Sequence, residues 1–259
     1  WSGFVTQLQG HTTCVPECTH PLKVGTCSLD WPSRGEITFR DYQMRYRNNT
    51  PLVLNGLNLN IQSRQTVGTV GRAGSGKSSL RMALFRLVEP ASGTILIDGM
   101  DIYTVGLEDL RTKLTVIPQD PVLFVGTVRY NLDPFESHSD EMLWQVLERT
   151  FMRDTLWLGV TFAMLLPQQI ILLDEATASM DSKTGTLVQS TIKDAFKDCT
   201  VLTIAHRLNT VLNFDCVLVL ENGKVVEFDK PEVLAEKPNS AFAITCLLTS
   251  LGGHGSGPR

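Results

Sequence analysis

Gly71-Arg72-Ala73-Gly74-Ser75-Gly76-Lys77-Ser78 is the stretch on which the fold turns. It fits a glycine, four free positions, then Gly-Lys-Ser in full. The context also fits. Thr66 to Val70 (TVGTV) is a short apolar strand running straight into the glycines. Ser78 to Leu87 then reads as a helix, with Leu80, Leu84 and Leu87 on one face. Each part has a physical job. The glycines let the backbone wrap around a phosphate, so that successive N–H groups point inward. The helix N-terminus adds partial positive charge. The expected nucleotide contacts are therefore Gly71, Ala73, Gly74, Ser75, Gly76, Lys77, Ser78 and the adjoining Ser79. Lys77 is expected to reach the β- and γ-phosphate oxygens, and Ser78 to ligate Mg²⁺. A plain glycine turn before a helix is the bland alternative, and the full match in context argues against it.

Working outward, Ile171-Leu172-Leu173-Asp174-Glu175 is an apolar strand that delivers two carboxylates to a sheet edge. Alone, that pattern is often just a strand end. Paired with the phosphate loop, it makes Asp174 a Mg²⁺-shell ligand and Glu175 the acceptor of a proton from attacking water. Other strands are expected at Ile37–Tyr42, Leu52–Ile61, Thr94–Ile97, Leu114–Ile117, Val201–Ile204 and Val217–Leu220. Asp98-Gly99 and Asn222-Gly223 are hairpin turns, the second leading into Lys224–Phe228. Ser137–Arg149 is an amphipathic helix capped by Ser139, with Met142, Leu143, Val146 and Leu147 on its face. Lys183–Phe196 also reads as helical. Strands alternating with helices imply a layered α/β fold, and the early antiparallel strands imply a β-subdomain beside a parallel core.

The chain has 259 residues, 42% hydrophobic and 19% charged, as expected of a globular domain with a full core. Its formal charge of −4 argues against nucleic acid as a partner. The most apolar run, Leu156–Leu166, falls short of the roughly 18 residues a membrane span needs. Residues 1–34 read as a linker or extension, 35–248 as the domain and 249–259 as a disordered tail. Cys14, Cys18 and Cys27 stand near His11 and His20 without paired C-x-x-C knuckles, which favours a flexible lead-in over a zinc site. Cys199, Cys216 and Cys246 read as buried thiols.

The whole set resembles the nucleotide-binding domain of ATP-binding cassette (ABC) transporters. Val116-Ile117-Pro118-Gln119-Asp120-Pro121 is similar to the family's Q-loop, which implies that Gln119 meets Mg²⁺ or water. Ala178-Ser179-Met180-Asp181 is similar to the D-loop, implying a dimer contact at Asp181. Ile204-Ala205-His206-Arg207 resembles the switch segment, with His206 sensing the γ-phosphate. Tyr46 stands where the family stacks an aromatic ring on adenine, with Tyr42 as its rival. Gln119-Asp120-Pro121-Val122-Leu123-Phe124, Asn131-Leu132-Asp133-Pro134-Phe135 and Thr200–Thr210 resemble the second cassette of multidrug-resistance-associated (subfamily C) exporters. The resemblance implies a P-loop NTPase with a mixed central sheet, an antiparallel β-subdomain and a helical subdomain. It also implies ATP and Mg²⁺ as cofactors, with Ser78, Gln119 and Asp174 as metal ligands and Glu175, His206, Gln119 and Lys77 as catalytic residues. The implied reaction is ATP hydrolysis that drives export through transmembrane domains, from the same or a companion polypeptide. The implied partners are those domains and a second nucleotide-binding domain, in a homo- or heterodimer at the cytoplasmic face of a membrane.

One family element is missing. No L-S-G-G-Q signature or variant precedes the Asp-Glu strand, and between Arg153 and Ile170 the only glycine is Gly159. The helical subdomain is thus truncated around residues 150–170, where an unrelated apolar run stands. That run either replaces a lost helix or leaves the fold unstable and prone to aggregate. In the family, the partner's signature helix closes over ATP, so its loss implies binding with weak hydrolysis, or a catalytically impaired module. Two single residues also depart from the pattern. Arg64 occupies a turn where the family often has glycine, and a positive φ there would strain it. Arg81 stands where this branch has a small residue, so if its face is buried the charge must snorkel or find a partner.

Overall fold

The computed structural model describes residues 30–118, 125–149, 158–165, 168–174, 190, 192–205 and 208–244. Two sheets carry the fold. The smaller is antiparallel and has the order β2-β1-β4-β5, formed by Ile37–Met44 (β1), Leu54–Ile61 (β2), Pro90–Ile97 (β4) and Met100–Asp101 (β5). The larger has the order β10-β9-β3-β8-β7-β6. Its strands are Thr66–Val70 (β3), Leu114–Ile117 (β6), Ile170–Asp174 (β7), Thr200–Ile204 (β8), Cys216–Glu221 (β9) and Lys224–Asp229 (β10). β6, β7, β8, β3 and β9 run parallel, and β10 closes the edge antiparallel to β9. This is the mixed sheet with an antiparallel β-subdomain that the sequence leads one to expect.

The parallel strands are apolar on both faces because both faces are covered. In β7, Ile170 and Leu172 point into the core shared with the small sheet, while Ile171 and Leu173 point to the opposite side. The first core takes in Phe39, Leu57 and Ile97 from the small sheet and Leu80, Ala83 and Leu84 from helix α1 (Lys77–Leu84). Both expected hairpin turns hold. Asp98-Gly99 and Asn222-Gly223 all have positive φ, as a two-residue turn matched to strand twist requires. Fixed structure starts before residue 35. Trp31 is buried and donates its indole N–H to the Ile97 carbonyl, while Asp98 accepts the backbone N–H groups of Ser33, Arg34, Gly35 and Glu36.

Short helices the periodicity does not reveal are α2 (Leu107–Thr112) and α3 (Val128–Leu132). α4 covers Asp140–Arg149, with Ser139 Oγ accepting the Met142 N–H. Leu143 and Val146 are buried there, whereas Met142, expected on the same face, is 43% exposed. It sits one position, about 100°, off the 143/146/147 stripe. The apolar run forms helix α5 (Leu158–Leu165). Val160 and Ala163 pack on Ile171, Leu173 and Val201 of the large sheet, and Leu165 packs with Leu132, Leu143 and Val146. The described part of this run thus covers the sheet as a helix. α6 (Leu208–Val211) and α7 (Pro231–Glu236) complete the elements used below. The disordered-tail reading, the cysteine–histidine lead-in and Cys246 lie outside the described residues. Cys216 is buried and Cys199 partly so. Burial first, with Asp198 nearby adding to it, pushes the Cys199 thiol up to about 11, so it is an inert thiol at neutral pH.

Candidate functional site: a phosphate cradle at the carboxyl edge of the sheet

Ligand sites of open α/β sheets form outside the carboxyl ends of the strands. β3 ends there at Val70, and the chain turns through residues 71–76 into α1. Gly71 has φ +154°, and a Cβ on it would lie 2.3 Å from the Leu220 carbonyl oxygen and 2.6 Å from Ser75 Oγ. Gly74 and Gly76 have φ of +78° and +104°, where a side chain would be strained. Gly76 is the N-cap of α1 and brings no side-chain cap, so the first N–H groups of the helix stay available to a ligand. Arg72, Ala73, Gly74 and Ser78 are exposed along the rim.

Lys77 is 6% exposed, and its ammonium donates to the carbonyls of Gly71 (2.7 Å) and Arg72 (3.0 Å). Burial lowers its pKa, because a low-dielectric surrounding disfavours the charged form. The chain thus holds a cation inside the loop that encloses it. Ser75 is buried, and its Oγ has no partner among the described residues. Buried polar atoms are normally paired, and this hydroxyl is not.

The cradle is braced by a turn whose role no local pattern reveals. Gly223 donates its N–H to the Ser75 carbonyl (3.0 Å) and accepts from Asn55 (2.8 Å). A Cβ on Gly223 would sit 2.1 Å from the Val53 carbonyl oxygen. The Asn222-Gly223 hairpin is therefore more than a connection. It ties the large sheet, the small sheet and the phosphate loop together.

Tyr46 and Tyr42 are separated by their surroundings. Tyr42 is fully buried and shares a hydrogen bond with Tyr103 (3.0 Å). Burial pushes its hydroxyl pKa up to about 12. It is a core residue. Tyr46 is 41% exposed, and its hydroxyl hydrogen-bonds with Ser79 Oγ (2.9 Å) in the first turn of α1. Its ring is open to a ligand and anchored to the cradle helix.

Asp174 ends β7 in register with Ile204 of β8, at the same sheet edge as the cradle. Its carboxylate is already engaged. Arg81, on α1, forms an ion pair with Asp174 Oδ2, with the two side chains 14% and 19% exposed. This answers what the Arg81 charge does on a buried helix face: it finds a partner rather than snorkelling out. Arg64 has φ +61°, so the strain expected of a non-glycine residue in that turn is present.

Of the sequence-predicted residues, the fold brings Tyr46, Gly71, Ala73, Gly74, Ser75, Gly76, Lys77, Ser78 and Ser79 into one cradle, with Asp174 at the same edge. Gln119, Glu175, Asp181 and His206 lie outside the described residues. The cradle's geometry and chemistry fit a nucleoside phosphate. The described metal donors fit Mg²⁺ poorly: Ser78 is open, but Asp174 is occupied by Arg81.

A sheet with a glycine-built phosphate loop at its carboxyl edge defines a P-loop NTPase. The family model for the ABC transporter matches residues 54–178, which run from β2 past the Asp-Glu strand. The chain is 46% identical over 237 residues to ATP-binding cassette sub-family C member 2 of Rattus norvegicus, covering 82% of this chain and 15% of that protein. It is 44% identical over 247 residues to metal resistance protein YCF1 of Saccharomyces cerevisiae, covering 86% of this chain and 16% of the relative. With multidrug resistance protein mrp-7 of Caenorhabditis elegans the identity is 43% over 237 residues, covering 82% and 16%. This chain belongs to the ABC transporter family, and its similarity lies with the nucleotide-binding regions of subfamily C. It spans about one sixth of the length of these relatives.

Proposed function

We propose that this chain is a nucleotide-binding cassette, the second of a subfamily C exporter, that binds ATP and hydrolyses it slowly. The observation that carries this reading is the cradle itself: a backbone loop around a buried Lys77, open at Ala73, Gly74 and Ser78. Lys77 binds the β- and γ-phosphate oxygens, the loop N–H groups and Ser75 hold the remaining ones, and Tyr46 stacks on the base. Glu175 takes a proton from water as its oxygen attacks the γ-phosphorus. The bond from that phosphorus to the bridging oxygen breaks, and ADP and phosphate leave. Gln119 orients the water and His206 holds the γ-phosphate. In this reading the exporter's transmembrane domains come from the same or a companion polypeptide, and the cassette works as a dimer at the cytoplasmic face. The exposed Tyr130, Phe135 and Trp144 near α3 and α4 offer an apolar surface for such a partner. Among the described residues no helix is long and apolar enough to cross a membrane.

Slow turnover follows from the missing signature run. The γ-phosphate loses a helix N-terminus and a serine, a donor set worth on the order of 3 kcal/mol or about 10² in rate. A second reading, an ATP-binding module without turnover, is favoured by the same absence. The test is phosphate release from ATP by the purified chain beside Glu175→Gln. Slow release that disappears in the variant supports the enzyme. ATP bound with no release from either protein supports the module. Turnover at ordinary cassette rates without any partner would sink both.

A further inference from the structure

We propose that Arg81 takes the place of the divalent cation at the Asp174 carboxylate, so that this chain binds a nucleoside triphosphate without depending on Mg²⁺. The inference rests on the nucleotide reading of the cradle and concerns the charge balance inside it. Arg81 follows Lys77 by four residues on α1, so both cations lie along one side of that helix. Lys77 is turned into the loop, and Arg81 is turned onto Asp174. The ion pair is largely shielded from water, at 14% and 19% exposure, so it holds where a surface pair would be screened. A guanidinium presents its positive charge on a rigid, planar fork of N–H donors. The site thus carries a second positive charge where the sequence pattern provides for a bound ion.

A second observation points the same way. Arg81 Nε is buried and has no hydrogen-bond partner among the described residues. A buried, charged donor without an acceptor is costly, and a phosphate oxygen is the kind of acceptor it lacks. Meanwhile a Mg²⁺ ion at this edge would have to share Asp174 with the guanidinium and endure its repulsion. Arg81 is therefore both a substitute for the ion and a barrier to it.

The experiment measures ATP affinity of the whole chain by calorimetry, once with a chelator and once with excess Mg²⁺. For the native chain, the two dissociation constants should agree within about threefold. In Arg81→Ala the freed carboxylate recruits the ion, and Mg²⁺ should tighten ATP by about tenfold or more. Arg81→Gln, which is shorter and uncharged but keeps a hydrogen-bonding amide and part of the side-chain volume, should behave like Arg81→Ala and covers the case in which the alanine variant fails to fold. A tenfold Mg²⁺ effect in the native chain, or none in either folded variant, overturns the inference while leaving ATP binding intact. If folded native chain binds no ATP under either condition, the nucleotide reading falls and takes this inference with it.

Discussion

The phosphate cradle, residues 71–78, is built from backbone, whereas α5, Leu158–Leu165, is built from side chains. The cradle works because three glycines adopt positive φ and because Gly71 leaves room for the Leu220 carbonyl. Its chemistry is local, and so its sequence is specific: few other residues could follow that path. α5 has no such constraint. It is apolar nearly all round, and its order comes from the sheet beneath it and from α3 and α4 beside it. Many apolar sequences of similar volume would serve there. One region is thus defined by conformation and recognition, the other by burial alone.

That contrast can be broken by substitution. The largest effect is expected at Val160, which is buried among Ile117, Ile171 and Phe196. Val160→Asp places an unpaired carboxylate there and should cost more than about 4 kcal/mol, read as loss of the cooperative urea transition. A stable variant would mean that α5 does not cover the sheet in solution. Next comes Lys77→Ala, which should weaken ATP binding by roughly 10²-fold, or about 3 kcal/mol. Its melting temperature should stay within a few degrees, because the lysine's partners are rim carbonyls that water can satisfy. A collapse of stability instead would make Lys77 a structural residue. The smallest effect is at Arg64, whose φ of +61° is costly for arginine. Arg64→Gly should raise stability by up to about 1 kcal/mol, checked by denaturant midpoint. The turn's backbone hydrogen bond, Arg64 N–H to Thr200 Oγ1 at 2.9 Å, is kept in both proteins, so no gain would mean that the extra unfolded-state entropy of glycine offsets the relief of strain.

The sequence was most legible where chemistry is local. β3, the glycine loop and α1 follow from one motif, and the Asn222-Gly223 hairpin from a dipeptide. It was less legible where an element is short or held by distant partners. α2 and α3 are six and five residues long, too short to show a period. The amphipathic pattern of α4 is visible in the sequence, but that Met142 falls outside the buried stripe follows only from packing against α3 and α5. Tyr46 is the expected stacking residue and Tyr42 its rival; burial of Tyr42 and exposure of Tyr46 separate them.

By itself the sequence determined the cradle, its lysine and the strand that ends at Asp174, because these depend on residue type and spacing along the chain. Only the tertiary structure decided that Gly223 braces the loop, that the apolar run becomes a sheet-covering helix, and that Arg81 meets Asp174. Arg81 and Asp174 lie 93 residues apart, and nothing local relates them. Their encounter follows from the parallel strands that bring β3 and β7 to one edge, where two buried charges are stable only in each other's company.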